Sequence, residues 1–413
     1  MSDTDRLDRV RTLDRTLVKQ ARKVRILSNL SWPINVGEVF LDNWAAGIRE
    51  LPAPPPVDLD LSKRRNGLQE LLGRLDRQDP LQDHIGRTAQ SYIDATLMLE
   101  ETGTEEFTRR SIAIYGSPAD RIHPGAPTHL EAAETFLGLY GESLPERDAP
   151  TLPSEEAAQI LQEMIDETFV EEPLPVQIEP ALTSLATAGS KRVRIRGNSL
   201  FSQTELEQLL QHEALVHSAT ARNGRNQPVL TCLGLGAPRT TCVQEGLATL
   251  GEMITDTMDV HRLRRIALRI RAVQYAMDGA DFLEVFEAFL AGGQTESEAF
   301  HSTQRVFRGG DVRGGAFFTK DVIYLKGMLL THTFLLKAVQ AGRHELPMHL
   351  FAGRMTLEDA LKLAPEFDAG TVVGPRYAPA WVRNTSRLSA FLSWTAFTNR
   401  VPLAPIDLEA LRG

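Results

Sequence analysis

Apolar residues recur at helical spacing along most of this chain. Residues 4–30 read as a helix rich in Arg and Asp, followed by SWPINVGEVFLDNW, a loop with an apolar patch. LPAPPPVDLD, residues 51–60, is a Pro-rich extended connector. The helical pattern then returns to about residue 115, with Leu68, Leu71, Leu72 and Leu75 at helical steps and a helix closing at Gly103. Gly116, Pro118, Pro124, Pro127, Pro145 and Pro150 break the segment 116–152, and PSEEAAQILQEMIDETF opens a further helix. KRVRIRG, residues 191–197, alternates basic and apolar positions, the period of a strand with one buried face. HRLRRIALRIRAVQYAMDG is helical and strongly basic, and its arginines are expected on a solvated face. The last 80 residues mix helices with Pro/Gly loops. The expected class is therefore α+β, predominantly helical, with a small sheet. Residues 1–150 are expected to form a helical region packed on a core carried by 151–413.

Composition narrows the setting. The chain has 413 residues, 42% hydrophobic and 24% charged, which is ordinary for a globular protein. No apolar run approaches the roughly 18 residues of a membrane span. The charged N-terminus has no signal-peptide core, so a cytoplasmic protein without a membrane partner is expected. A net charge of −9 argues against a nucleic-acid partner. Cys232 and Cys242 flank a Gly/Pro-rich loop and are expected to be free thiols.

One helix carries chemistry. His212-Glu213-Ala214-Leu215-Val216-His217 offers two imidazoles for a zinc ion and a carboxylate to take a proton from the water it activates. The helix is well specified: Ser202 and Glu205 have capping-box spacing, Phe201 and Leu206 form a hydrophobic staple, and Asn223-Gly224 signals its end. The usual zinc-peptidase spacing is H-E-x-x-H. With one more residue, the histidines diverge by about 140° on a regular helix. A π-type turn between them would restore convergence, and such turns concentrate at functional sites. A second copy, His344-Glu345-Leu346-Pro347-Met348-His349, is broken by Pro347 and is read as chance.

A third ligand must come from another element. Glu245 lies in what reads as the first turns of a new helix, where Thr241 and Gln244 have capping-box spacing. Gly246 and Ala248 are small enough to let that helix approach the first. Glu252 is the rival ligand or a supporting group.

HEALVH, followed by QEGLA and by GGAFFTKDVIYLKG at 314–327, resembles the QEGLA-motif family. That family includes bacterial proteins named as flavohemoglobin-expression modulators and animal microtubule-associated tyrosine carboxypeptidases. The resemblance spans roughly residues 15–400. It implies a zincin-like metallopeptidase core with an active-site helix and a single zinc ion. It also implies His212, His217 and Glu245 as ligands, Glu213 as general base, and a peptide or protein C-terminus as substrate. Tyr324, on the TKDVIYLKG segment, is the candidate to stabilise the oxyanion. A C-terminal carboxylate calls for a cation at fixed reach; Lys320, Arg313 and Arg308 are candidates, Lys320 first. Arg194, on the basic strand, is expected to flank an edge on which an extended peptide adds. Two other readings stand beside this one: a zinc aminopeptidase or endopeptidase, and a zinc-binding regulatory protein without turnover. Glu213 speaks against the last, since binding alone does not need it.

Overall fold

Helices dominate the computed structural model, which describes residues 2–139, 144–180, 182, 184–398 and 400. The first, Asp3–Ala21, has a Ser2–Asp5 capping box and buries Val10, Leu13, Leu17 and Ala21 along one face. It stops short of residue 30, and a single turn, Ile26–Asn29, follows. Two segments expected to be irregular are helical. Ile34–Ala45 starts after Pro33, and its apolar patch is an inner face that sets Phe40 against Trp44, Phe282, Phe286 and Phe300. His129–Gly138 opens with a Thr128–Glu131 capping box. The neighbouring prolines bound these helices instead of interrupting them. Residues 62–115 form Ser62–Leu72, Pro80–Glu100 and Glu105–Tyr115 as expected, with Gly103 (φ 79°) turning between the last two.

Among the described residues, Leu152–Pro153 pairs antiparallel with Leu200–Phe201 in the smaller of two sheets, and the larger has three short strands. Val193–Arg196 is central, parallel to Val176–Glu179 and antiparallel to Ala186–Ala188. Val193 and Ile195 are buried while Arg194 and Arg196 are half-buried, the alternation expected from the sequence. The strand is not an edge, however, because neighbours occupy both of its sides. Ala186–Ala188 is an edge strand instead, and its small residues carry little strand signal.

Two apolar clusters fill the interior. The larger draws on residues from Val10 to Leu392. The smaller joins the helix Ser154–Asp166 to the sheet and to Leu206, Leu209, Ala214, Leu215 and Ala219. Val216 belongs to the larger cluster, so the helix bearing both histidines is wedged between the two cores. Phe201 and Leu206 are both fully buried in the smaller cluster, as a staple requires.

A close helix crossing joins Thr241–Ile254, which carries Glu245, to Ile323–Gln340, which carries Tyr324. A Cβ on Gly246 would overlap the Gly327 carbonyl, and one on Gly327 would overlap the Cys242 carbonyl. Gly246 therefore serves this crossing, not the approach to the histidine helix that its position suggested. The segment Lys320–Gln340 is also apolar and long enough to cross a membrane by length and composition alone, with a mean hydropathy of 1.4. Its buried Leu325, Met328 and Leu335 belong to the larger core.

Replacing Gly327 with Ala forces two backbones apart. Its expected cost is about 1–3 kcal/mol or more, read by urea unfolding. A change within about 0.5 kcal/mol would show that this crossing tolerates separation.

Candidate metal centre and its cavity

The helix that starts at Gln203 keeps its predicted Ser202–Glu205 capping box. It then widens into a π-helix over Leu210–Ser218 and narrows again over Ala219–Arg225. The widening absorbs the extra residue: the His212 and His217 rings sit with centroids 4.7 Å apart and planes at 88°. Thr220 Oγ1 donates to the Val216 carbonyl at 2.7 Å, and Arg354 Nη2 donates to the His217 carbonyl at 3.1 Å. Both supply partners within a segment whose own hydrogen bonding is irregular. Asn223 and Gly224 do not end the helix, which continues to Arg225. Asn223 bonds the backbone of Phe351, Arg376 and Tyr377, and Gly224 admits the Leu233–Gly234 backbone at a distance no Cβ would allow.

Glu245 faces the two imidazoles. Its Oε2 lies 3.4 Å from His212 Nε2 and 3.6 Å from His217 Nε2. All three ligand atoms fall within 4.8 Å of one another, and among the described residues this is the only such group that could hold a metal ion. Oε2 is buried without a hydrogen-bond partner, whereas Oε1 accepts from Lys320 Nζ at 3.0 Å. Burial pushes the Glu245 carboxyl up, but Lys320 and the imidazoles outweigh it and hold it well below the usual range. The helix Thr241–Ile254 has no side-chain cap: Thr241 Oγ1 turns back to the Ala237 carbonyl, and the Gln244 side-chain amide lies 2.7 Å from Thr220 Oγ1. Gln244 thus ties the glutamate to the histidine helix, a role its neighbours in sequence do not disclose.

Glu252 stands behind the cluster. Its Oε1 is 2.6 Å from His212 Nδ1, and Arg262 donates to both of its oxygens at 3.0 and 3.1 Å. A Nδ1–H donated to Glu252 leaves Nε2 of a neutral His212 turned toward Glu245, the orientation a metal ligand needs. Burial lowers the His212 pKa, but the Glu245 and Glu252 carboxylates raise it to about 10. Glu252 itself is raised by burial and lowered more strongly by Arg262 and His212, to about 2.

His212, His217, Glu245 and Arg262 line a cavity of about 570 Å³, and Glu252 lies behind them. Glu213 is half-buried on its wall and makes no hydrogen bond or ion pair among the described residues. Tyr324 also lines it, and its hydroxyl accepts from Arg305 Nη2 at 3.1 Å. Burial and Glu245 push the Tyr324 phenol up, yet Lys320 and Arg305 prevail and hold it below its ordinary value. Arg194 and the strand Ala186–Ala188 close another side. Two expectations need correction. Arg313 is exposed, bound to its own neighbour Asp311, and lies away from the cavity. Lys320 is buried and committed to Glu245, so it does not stand free for a substrate carboxylate.

The basic helix is also not the solvated element the sequence suggested. Over Val260–Met277, Arg262, Arg265 and Arg269 share one face, at steps of three and four, and that face is turned to the cavity. Arg305 and Arg308 join them from the helix Glu296–Phe307 and the residue after it. Their helical spacing was visible in the sequence; the direction of that face was not. The His344–His349 copy forms no cluster: His349 stacks on Phe367 beside Pro347. Cys232 and Cys242 are free thiols.

Comparison with known families places the chain among the peptidases, of carboxypeptidase type. Residues 39–400 match the family model described as "Microtubule-associated tyrosine carboxypeptidase", and the chain belongs to that family. A direct comparison with curated proteins finds no match.

The Glu252 carboxylate sits between an imidazole and a guanidinium, so Glu252→Gln is expected to cost about 3–5 kcal/mol in the chelator-treated protein. Its folded pKa of about 2 lies below the ordinary 4.5. The stabilisation is therefore present above pH 4.5 and lost as pH falls toward 2. Urea unfolding across that window should show the gap between parent and variant closing on acidification. A pH-independent gap would mean that the carboxylate charge is not what Glu252 supplies.

Proposed function

We propose that this chain is a zinc-dependent carboxypeptidase that hydrolyses the last peptide bond of a peptide or protein. The observation that carries the reading is the convergence of His212, His217 and Glu245, with Glu245 Oε2 buried and unpartnered between two imidazoles. Two neutral imidazoles and a carboxylate are the donor set of hydrolytic zinc sites that keep a position open for water or substrate. Zinc held there would supply Lewis acidity, polarising the scissile carbonyl and making water nucleophilic near neutral pH.

The remaining work falls to the chain's own residues. Glu213, free on the cavity wall, takes the proton of the attacking water and returns it to the leaving amine. Tyr324 accepts a hydrogen bond from Arg305, which leaves its own O–H to donate to the developing oxyanion. Lys320 holds Glu245 charged and in place. The edge strand Ala186–Ala188 offers backbone groups along which an extended peptide can lie. Unpaired arginines in the cavity favour a free C-terminus over an internal segment or an N-terminus. Membership of the family supports a protein C-terminus as substrate.

Glu213→Gln should retain about one zinc per chain, because Glu213 is not among the ligands, while peptide hydrolysis falls by roughly 10²–10⁴-fold. Elemental analysis and a peptide-release assay read the two effects. Undiminished hydrolysis by this variant would overturn the mechanism. His217→Ala should lose stoichiometric zinc, and amidating the substrate's C-terminus should stop cleavage; cleavage of the amide would instead mark an endopeptidase or aminopeptidase.

A further inference from the structure

One wall of the cavity comes from the beginning of the chain. Val24, Arg25, Ile26, Leu27 and Ser31 line it, although they precede the stretch 39–400 that matches the family model. Arg25 and Leu27 are also exposed, Leu27 at 42%, so this wall is a single layer of chain with solvent behind it. Both of its ends are fixed. Val24 is buried just past the first helix, and Asp14 ties that helix to the turn Thr231–Gly234 by accepting from the Thr231 and Cys232 N–H groups at 3.1 and 2.9 Å. At the other end Leu30 is fully buried against Gly309, where a Cβ would come within 2.8 Å of it. Trp32 then packs on Phe282 and Phe300, with ring centres 5.8 and 6.4 Å away. Between these anchors, among the described residues, every hydrogen bond made by residues 25–31 stays within the segment. The Asn29 and Leu30 N–H groups donate to the Arg25 and Ile26 carbonyls, and Ser31 Oγ donates to the Leu27 carbonyl.

We propose that this strap, residues 24–31, shuts one end of the cavity and so confines cleavage to the end of a polypeptide. The proposal rests on the reading of the cavity as a carboxypeptidase site and names the element that keeps internal bonds out. An enzyme that cuts within a chain needs room for polypeptide on both sides of the bond. One that removes a last residue needs it on one side only. A thin partition supplies that difference, because a steric block rejects the wrong substrate without adding any contact to the right one.

Position decides which end is shut. The edge strand Ala186–Ala188 packs on the histidine helix, whereas the helix Val260–Met277 packs on the segment Lys320–Val322, across the candidate ligands. The strap's Leu30 anchor touches Gly309, the residue after Arg308, so the strap meets the side away from the edge strand. A peptide entering along the strand passes His212 and His217 before it reaches Ile26 and Leu27. Continuing past them by four extended residues would take roughly 13–14 Å, and the strap stands in that path. Its anchors are apolar and its middle bonds only to itself, so cutting the middle leaves both anchors and both cores in place.

Nicking the strap tests this. A recognition site for a site-specific protease is inserted between Leu27 and Ser28 of the full-length Glu213→Gln protein, and one zinc-loaded preparation is compared before and after the cut. The probes are an N-acetylated linear peptide of four Ala-Ser-Tyr repeats and the same repeats cyclised head to tail, which offer no chain end. In calorimetric titrations, nicking should raise the affinity for the ring, relative to the linear peptide, by roughly tenfold or more. With Glu213 retained, the intact protein should release tyrosine from the linear peptide and leave the ring closed. The nicked protein should open the ring, read by mass spectrometry as the gain of one water. The proposal fails if the intact protein opens the ring or if nicking leaves the relative affinity unchanged. Should the insertion prevent folding, Ile26→Gly with Leu27→Gly strips the wall of its apolar side chains, keeps the anchors, and decides by the same affinity ratio. Release of tyrosine together with an unchanged ratio would sink the strap and leave the carboxypeptidase reading standing. No release from the linear peptide by the intact protein would sink that reading, and the affinity ratio would still decide the strap.

Discussion

The widened turn over Leu210–Ser218 is the constraint on which the centre depends. A π-turn has poorer hydrogen-bond geometry than the α-helix it interrupts, so it persists only where its surroundings hold it. Here they hold it from several directions. Ala214, Leu215 and Ala219 are fixed in one core and Val216 in the other, while Thr220 and Arg354 take two of its carbonyls. Remove the extra residue's bulge and His217 swings to the far side of the helix, away from Glu245. The two apolar clusters and the polar centre are thus one problem: the cores fix where the backbone runs, and the backbone fixes where the imidazoles point.

The second helix is placed by different means. Gly246 and Gly327 let backbones touch, and that contact carries Tyr324 and Lys320 to the same side as Glu245. Glu245, immediately before Gly246, therefore faces the histidines because its neighbour faces the other helix. Behind them Glu252 compensates both His212 and Arg262, joining the candidate ligands to the arginine face. A rigid crossing and a buried charge chain suit a site whose donors must not move by more than a fraction of an ångström.

Much of this was legible in the sequence, and the reasons differ by residue. The capping box of Ser202 and Glu205, the alternation of Val193–Arg196 and the need for a wider turn follow from local spacing. Local spacing failed where a residue's meaning is tertiary. Asn223-Gly224 has the composition of a helix end, yet Asn223 bonds a distant segment and Gly224 admits one. Arg262, Arg265 and Arg269 have the composition of a solvated face, and only the packing of their helix turns them inward. Lys320 was correctly placed near the centre, but its partner is Glu245 rather than substrate. Arg313 sits on a loop next to Asp311, and proximity in sequence to the TKDVIY segment did not bring it to the cavity.

The charge balance of the cavity separates cations that have a close carboxylate partner in the chain from those that do not. Arg262, Arg305 and Lys320 each have a buried carboxylate partner in the chain, and such pairs fix geometry more than they add stability. Arg265, Arg269 and Arg308 have none of comparable quality, and burial pushes each of them below its ordinary value. A chain with net charge −9 has carboxylates to spare elsewhere, so their scarcity around these three arginines is a local property of the cavity and not a consequence of composition. The same folded core that brings His212, His217 and Glu245 together thus also leaves positive charge poorly matched beside them.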